Sequence, residues 1–401
     1  MSNDVKAALD SFVESEMPEI WRIASYIHEN PELGYEEFKA CAVQCDYLRA
    51  QGFNVTQGVE ELETAYVATY GSGSPVIGIC AEYDALADIG HGCGHNLICT
   101  TSILTGAAVK KYLEACGSKG TIKVIGTPAE EGGGGKIRLL EKGIFNDLDT
   151  VWMMHPTSDL TRIAGACLSS VSMEIVFHGK AAHAASHPDR GRNALSAANV
   201  FMAASAFWRQ SFKNDMRMCM IIVEGGEQAN TMPDTVRLKG DVRALSPASA
   251  HWLAETIGAC AEHCALAMGC AATVEMAEGY WGRVPNKTLS DVCKAEFDAL
   301  GEPMLPGMPD DFGGEDLGNV SRRIPVCSPY TTIFPDYKIS GHTEQFRELA
   351  GSDSGRRCIE VSSKAMARSI VNLLVDPSII DSAKAELAER LEREKWDEAA
   401  I

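Results

Sequence analysis

The chain has 401 residues, of which 45% are hydrophobic, and it carries a formal net charge of −19. This length allows two domains, because single cores stop growing near roughly 250 to 300 residues. The acidic balance, which no basic stripe offsets, excludes a nucleic-acid partner, and 14 cysteines in a chain of this length are too few for a disulfide scaffold.

The chain starts with MSNDVKAALDSFVESEMPEIW, which is acidic where a secretory or mitochondrial signal would be basic. No apolar run approaches the roughly 18 residues that a membrane-spanning helix needs. We therefore expect a cytoplasmic protein with no membrane partner, in which the cysteines are reduced thiols.

Residues 3 to 50 have helical periodicity with a break near Pro31. Short apolar runs such as PVIGICAEYDAL, TIKVIGTPAEE and DTVWMMHP then alternate with amphipathic stretches, which is typical of strands and crossover helices in an α/β sheet. From about residue 168 to 284 the pattern changes to alternating segments with helical stretches at 192–213 and 247–268. This predicts a separate α+β unit with an antiparallel sheet.

After Pro285 the sequence predicts a helix, a Gly/Pro/Asp-rich stretch and one long terminal helix, which complete the first domain. The predicted fold class is therefore α/β, with a mixed sheet flanked by helices and an inserted α+β domain. We assign residues 1–167 and 285–401 to the first domain and residues 168–284 to the insertion.

Polar side chains follow the predicted strands, where ligands of open α/β sheets bind. Asp84 follows the first of these strands, after Glu82, which we interpret as structural. The glycine-rich loop GHGCGHN comes next, with Cys93 and His95, while Glu131 and His155 follow later strands. Thiolate, imidazole and carboxylate together suit zinc, manganese or cobalt.

The adjacent pair Glu130 and Glu131 indicates hydrolysis. In an extended segment neighbouring side chains point in opposite directions, so one carboxylate can bind a metal while the other handles a proton. The following run from Gly132 to Gly135 is not a phosphate loop, because Glu130 stands where such a loop needs glycine and Ile137 where it needs Ser or Thr.

Several motifs, in this order and spacing, resemble one family: HENPELGYEE, EYDALADIGHGCGHN, GTPAEEGGGGK, MMHP, GKAAHAA, GGEQANTMPD and SGHTEQF. They are similar to the metallopeptidase family of aminoacylases, glutamate carboxypeptidases and amino-acid-conjugate hydrolases, in particular to its amidohydrolase branch. The resemblance implies that Glu130 is the general base and that Asp84 orients the site. It implies that the ligands of one or two divalent metal ions are Cys93, His95, Glu131, His155 and His342.

The resemblance also implies that residues 168–284 are a lid through which the chain forms a homodimer. In it His183 would polarise the scissile carbonyl, usually from the partner subunit. Asn230 and Arg243 would hold a substrate carboxylate or the oxyanion, because a guanidinium can bind a carboxylate through two hydrogen bonds. The substrate would then be a small anionic amide. The alternative for Arg243 is an ion pair with Asp241 or Asp234.

We therefore expect a metal-dependent hydrolase of the amide C–N bond that joins an acyl, aroyl or aminoacyl group to an amino acid. Three alternatives remain open. The same metal site could deaminate an aromatic amine, which would release ammonia instead of an amino acid. The chain could be a catalytically silent binding protein of this fold, or a thiol redox protein built on Cys93, which would hold no metal.

Overall fold

The computed structural model describes residues 1–398. The chain forms two compact units, which we call the first and the second unit. The first unit consists of Met1–Ala166, Val284–Asp310 and Asn319–Glu392, and the second mainly of Cys167–Arg283 and Asp311–Gly318. The lid and dimerisation roles that we expect for residues 168–284 stay predictions.

The helices, in chain order, are α1 (Asn3–Glu29), α2 (Phe38–Ala50), α3 (His95–Cys116), α4 (Gly135–Glu141), α5 (Ala194–Trp208), α6 (Pro247–Ala267), α7 (Lys287–Ala299), α8 (Leu317–Ser321), α9 (Glu344–Ala350), α10 (Asp353–Val375) and α11 (Ser378–Glu398). The single long terminal helix that we predict is wrong, because α9, α10 and α11 occupy this region. Pro377 separates α10 from α11, since proline lacks the amide hydrogen that would continue a helix.

The strands are β1 (Asn54–Val59), β2 (Leu62–Ser72), β3 (Val76–Ala81), β4 (Gly120–Gly126), β5 (Thr150–Trp152), β6 (His155–Ser158), β7 (Arg162–Ile163), β8 (Ser169–His178), β9 (Ala182–His183), β10 (Arg217–Glu224), β11 (Thr231–Met232), β12 (Thr235–Ala244), β13 (Ala271–Glu278), β14 (Val326–Cys327) and β15 (Pro329–Phe334). Those up to β7, with β14 and β15, belong to the first unit. The others build the second unit.

The first unit contains a mixed sheet in the order β1-β2-β4-β3-β5-β14. Strands β4, β3, β5 and β14 run parallel to one another, whereas β2 is antiparallel to β4. The chain segments after β3, β4 and β5 therefore leave the sheet at one edge. Helix α3 is buried on all sides over most of its length, as its apolar and small residues predict. It packs against α1, α10 and the sheet, which fixes its first turn beside that edge.

The second unit contains an antiparallel sheet in the order β10-β12-β8-β13 and a short pair formed by β9 and β11. Burial alternates along β8, whose inward residues Val171, Met173, Ile175 and Phe177 pack against α5 and α6. The mixed sheet and the antiparallel sheet that the sequence predicts are therefore both present.

All 14 cysteines are free thiols. Within residues 1–398, none of the helices combines the length and the apolar character needed to cross a membrane.

Candidate metal centre

The loop GHGCGHN ends where α3 begins, with His95 as the first helical residue. Gly94 before it has a left-handed backbone with φ of 77°. A Cβ at this position would lie 2.6 Å from Cγ of Pro156, so only glycine lets the loop approach the segment that carries His155. Glycine at this position therefore allows the loop to pack closely against Pro156. His91, which is also in this loop, is buried beside His28.

Glu130 and Glu131 lie in a turn after β4, not in the extended segment that we predict. The preceding residue Ala129 has a left-handed backbone with φ of 57°, which reverses the chain direction. The amide of Glu131 donates to Oδ2 of Asp84 at 2.8 Å. The extended geometry is wrong because these contacts bend the segment, which a local sequence pattern does not reveal.

Hydrogen bonds orient two of the imidazoles. Nδ1 of His95 donates to Oδ1 of Asp84 at 3.0 Å, and Nδ1 of His155 donates to the carbonyl of Pro156 at 2.7 Å. The ring of His155 also stacks on Tyr330, with 4.9 Å between centroids. In each histidine Nε2 is thus left as the lone-pair nitrogen, as in metal-ligating histidines whose other nitrogen is hydrogen-bonded.

The predicted ligand atoms converge. Sγ of Cys93 lies 3.5 Å from Nε2 of His155. Oε1 of Glu131 lies 3.2 Å from Nε2 of His342 and 3.9 Å from Nε2 of His95. Three groups of possible ligands each have their atoms within 4.8 Å of one another: Cys93 with His95 and His155, Cys93 with Glu131 and His342, and His95 with Glu130 and Glu131.

The environment of these atoms fits a divalent metal ion. Nε2 of His95 is buried without a hydrogen-bond partner among residues 1–398, which is costly unless something binds it. Burial raises the pKa of the Cys93 thiol, but His155 and His95 outweigh this effect and bring the pKa to about 6. Cys93 is therefore disposed to be a thiolate, the form that ligates metals.

Glu82 and Lys136 form an ion pair beside this cluster that our sequence analysis does not predict. Nζ of Lys136 lies 2.5 Å from Oε2 of Glu82, and both side chains are almost completely buried. The other oxygen of Glu82 lies 3.5 Å from Nε2 of His95. The only sign of this pair in the sequence is an acidic residue two positions before Asp84, which we interpret as structural.

The second unit brings two of the predicted substrate residues together. His183 on β9 pairs with Thr231 on β11, and the carbonyl of Asn230 accepts from the amide of Ala184 at 2.8 Å. Both His183 and Asn230 are exposed. Arg243 on β12 is instead paired with Asp241, with 2.6 Å between Nε and Oδ1, which is the alternative stated above.

Comparison with known proteins identifies a family. A profile of peptidase family M20/M25/M40 matches residues 82–368. The chain is 33% identical to the Xaa-Arg dipeptidase of Mus musculus, over 91% of this chain and 88% of that protein. It is 30% identical to a p-aminobenzoyl-glutamate hydrolase chain of Escherichia coli, over 94% of each. A dinuclear metal-binding peptidase from the M20 family of Bacillus subtilis has the same fold, with a TM-score of 0.74 at 21% identity over 90% of this chain and 99% of that one.

The resemblance and the fold class inferred from the sequence are thereby confirmed. The match covers the strand ends, the glycine-rich loop and the turn that carry the ligand cluster. The chain belongs to peptidase family M20/M25/M40 and is a metal-dependent hydrolase that acts on amide bonds of acyl amino acids or dipeptides.

Proposed function

We propose that the chain cleaves dipeptide-like amides with Glu130 as general base. The observation that carries the proposal is the convergence of three imidazole nitrogens, a thiolate and a carboxylate next to a second, adjacent carboxylate. The metal ligands in this proposal are Cys93, His95, Glu131, His155 and His342.

The cluster supports a centre of two ions. Cys93, His95 and Glu131 each belong to two of the three ligand groups, so the groups overlap and these residues would hold two neighbouring ions. Thiolate, imidazole and carboxylate donors favour zinc or manganese, and cobalt is a further choice. When bound, these ions supply a water molecule of lowered pKa and polarise the carbonyl of the substrate.

Glu130 moves the proton in this proposal. It takes a proton from the attacking water and delivers it to the leaving nitrogen, as a positioned carboxylate can. Asp84 holds two of the ligands in place, because one of its oxygens accepts from His95 and the other from the amide of Glu131. A single carboxylate thus couples the first turn of α3 to the turn that carries Glu130.

His183 is suited to donate a hydrogen bond to the substrate carbonyl. Its Nδ1 accepts from the amides of Ala185 and Ser186 at 3.3 and 3.1 Å, so in the neutral ring Nε2 carries the proton. Arg243 and Asn230 would hold the substrate carboxylate or the oxyanion, with Arg243 exchanging Asp241 for the substrate. We propose that His183 acts from the partner subunit of a homodimer formed through the second unit.

We further propose that the leaving amino acid is basic, so that the substrate carries a carboxylate but is not anionic overall, in contrast to the small anionic amide that the resemblance implies. The net charge of −19 attracts cationic substrates and repels anionic side chains. The mouse relative, similar over 91% of the chain, is an Xaa-Arg dipeptidase. The carboxylate of such a dipeptide still needs a cation such as Arg243, while the arginine side chain is favoured by the acidic surface.

A substrate panel tests this proposal. We expect the highest kcat/KM for Ala-Arg and a lower value for Ala-Glu and for p-aminobenzoyl-glutamate. The difference between these kcat/KM values should become smaller at high salt, because ions screen the electric field of the negatively charged protein. Amino acid as the product confirms amide cleavage, whereas ammonia from an aromatic amine would show deamination. Protein that holds metal but turns over none of these amides would contradict the proposal.

Glu130→Gln tests the base. The variant keeps the shape of the side chain and all proposed ligands, so we expect native metal content and a kcat lowered by about a thousandfold or more. Glu141→Gln, at an exposed position at the end of α4, is the control and should keep native kcat. Near-native activity of Glu130→Gln would remove the base assignment.

A further inference from the structure

Glu37 is a fully buried carboxylate at the end of HENPELGYEE, the motif for which the proposed mechanism has no use. Its Oε1 accepts from the amide of Ala129 at 2.8 Å, across 92 positions of sequence. Its Oε2 accepts from the hydroxyl of Thr64, which is itself buried on β2, at 2.9 Å. Glu37 therefore connects the start of α2 and the mixed sheet to the turn after β4.

Ala129 is the residue whose backbone conformation directs that turn. Its φ of 57° is left-handed, which is unfavourable for a residue with a Cβ and persists only where the surroundings enforce it. Glu130 and Glu131 follow immediately. A relaxation of Ala129 to an ordinary backbone conformation would therefore redirect both carboxylates.

Two neighbours of Glu37 in the motif contact the same turn. A Cβ on Gly34 would lie 2.9 Å from Cβ of Ala129, so Gly34 permits close packing against that side chain. The hydroxyl of Tyr35 donates to the carbonyl of Gly133 at 2.5 Å. The motif thus contacts the turn before Glu130 and after Glu131.

We propose that Glu37 is a positioning residue that holds Ala129 in its left-handed conformation and thereby aims Glu130 and Glu131. This inference rests on the proposed role of Glu130 as base. Burial of the Glu37 carboxyl group is unfavourable for its charged form and raises its pKa to about 7. An apolar side chain could fill the same space without this cost, but it could not accept the hydrogen bonds from Thr64 and from the amide of Ala129.

The experiment compares Glu37→Gln, Glu37→Leu and the double variant Glu37→Leu/Ala129→Gly at saturating metal. Glutamine can still accept from the amide of Ala129, so we expect kcat within about threefold of native. Leucine cannot, and we expect kcat lowered by about 30-fold or more with KM nearly unchanged, since small misplacements of catalytic groups are costly. Glycine adopts left-handed backbone without strain, so the double variant should recover about tenfold of this loss.

Glu296→Leu is the matched control, because Glu296 is a buried carboxylate on α7 that binds Lys6 and Asn372. It should lower the melting temperature while kcat stays near native. The inference is wrong if Glu37→Leu keeps native kcat, or if neither glutamine nor the added glycine restores activity. If Glu37→Leu does not fold, Thr64→Val decides, with an expected loss of about three- to tenfold in kcat and no loss as the contradicting result.

The two proposals fail in different ways. Full activity of Glu130→Gln would show that Glu130 is not the base. The contacts of Glu37 would then have no consequence for catalysis. An inactive Glu130→Gln together with a fully active Glu37→Leu would leave the base in place and remove only the positioning role.

Discussion

Lys136 is a cation in the interior of the first unit, and Glu82 is its partner there. Burying two charges costs free energy that their attraction and hydrogen bond must offset. Removing one partner leaves the other charge uncompensated, which is the expensive case. The pair also lies next to Nε2 of His95, so it fixes a negative charge beside the ligand cluster.

Lys136→Met is therefore expected to lower the free energy of unfolding by about 3 to 5 kcal/mol, because it leaves the Glu82 carboxylate buried and unpaired. Urea titration measures this change. Lys123→Met is the control, because Lys123 pairs with an exposed partner, Asp147, and should lose less than about 1 kcal/mol. Equal losses in the two variants would contradict the account of the buried pair.

The raised pKa of Glu37 leads to a second prediction, which concerns the pH dependence of stability. Burial raises its pKa from the ordinary value of 4.5 to about 7, so between these values the native state binds more protons than the unfolded chain. Stability from this group is present below pH 4.5 and falls by about 3 kcal/mol as the pH rises to 7. Glu37→Gln cannot ionise, and its free energy of unfolding relative to wild type should rise by that amount over the same range. A constant difference from pH 4.5 to 8, measured by urea titration, would contradict this.

At the scale of elements, the first turn of α3 positions His95 only because Gly94 allows close approach to Pro156. Gly94→Ala should displace the loop and weaken metal affinity by about tenfold or more, since it moves a ligand.

Gly117 provides the control for this prediction. It ends the same helix, is also left-handed with φ of 58°, and has open space around its Cβ position. Gly117→Ala should therefore cost only about 1 to 2 kcal/mol of stability and leave metal affinity unchanged. Metal titration of both variants distinguishes displacement of the ligand loop from the backbone strain that the two substitutions share. Equal metal affinities of Gly94→Ala and Gly117→Ala would show that Gly94 has no special role.

The sequence predicts those elements whose signal is local. Apolar runs that end in Asp84, Glu131 and His155 identify the strand ends. A buried strand requires apolar residues and polar residues follow where it ends, so both features are visible within a short stretch of sequence. The turn at Ala129 carries no such mark, since the carboxylate that holds it is 92 positions away. The ion pair of Lys136 is equally hidden, because its partner lies 54 positions away and two charged residues do not look like core.

At the scale of the whole molecule, the exposed strand β10 bears on the proposed homodimer. It lies at one edge of the antiparallel sheet, and its residue Ile221 is 62% exposed beside the exposed Ile222 and Val223. An apolar sheet edge favours pairing with another strand. Ile221→Lys should therefore convert a dimer into monomers in sedimentation, whereas Val375→Lys, at an exposed apolar position on α10, should not. A dimer that survives Ile221→Lys would place the interface elsewhere.

Family and fold class follow from the sequence because the motifs keep their order along most of the chain. The roles of His183, Asn230 and Arg243 stay predictions, since they depend on how a substrate is held. The ion pair between Arg243 and Asp241 shows the difficulty, because a guanidinium suited to a substrate carboxylate also binds a neighbouring one.

The decisive measurement is the metal content of the purified protein, determined by elemental mass spectrometry before and after chelation. We expect about two divalent ions per chain, loss of Ala-Arg hydrolysis when they are removed, and recovery of activity on addition of zinc, manganese or cobalt. Reconstituted protein that binds no metal, or chelated protein that keeps its full activity, would contradict the ligand cluster and the mechanism built on it.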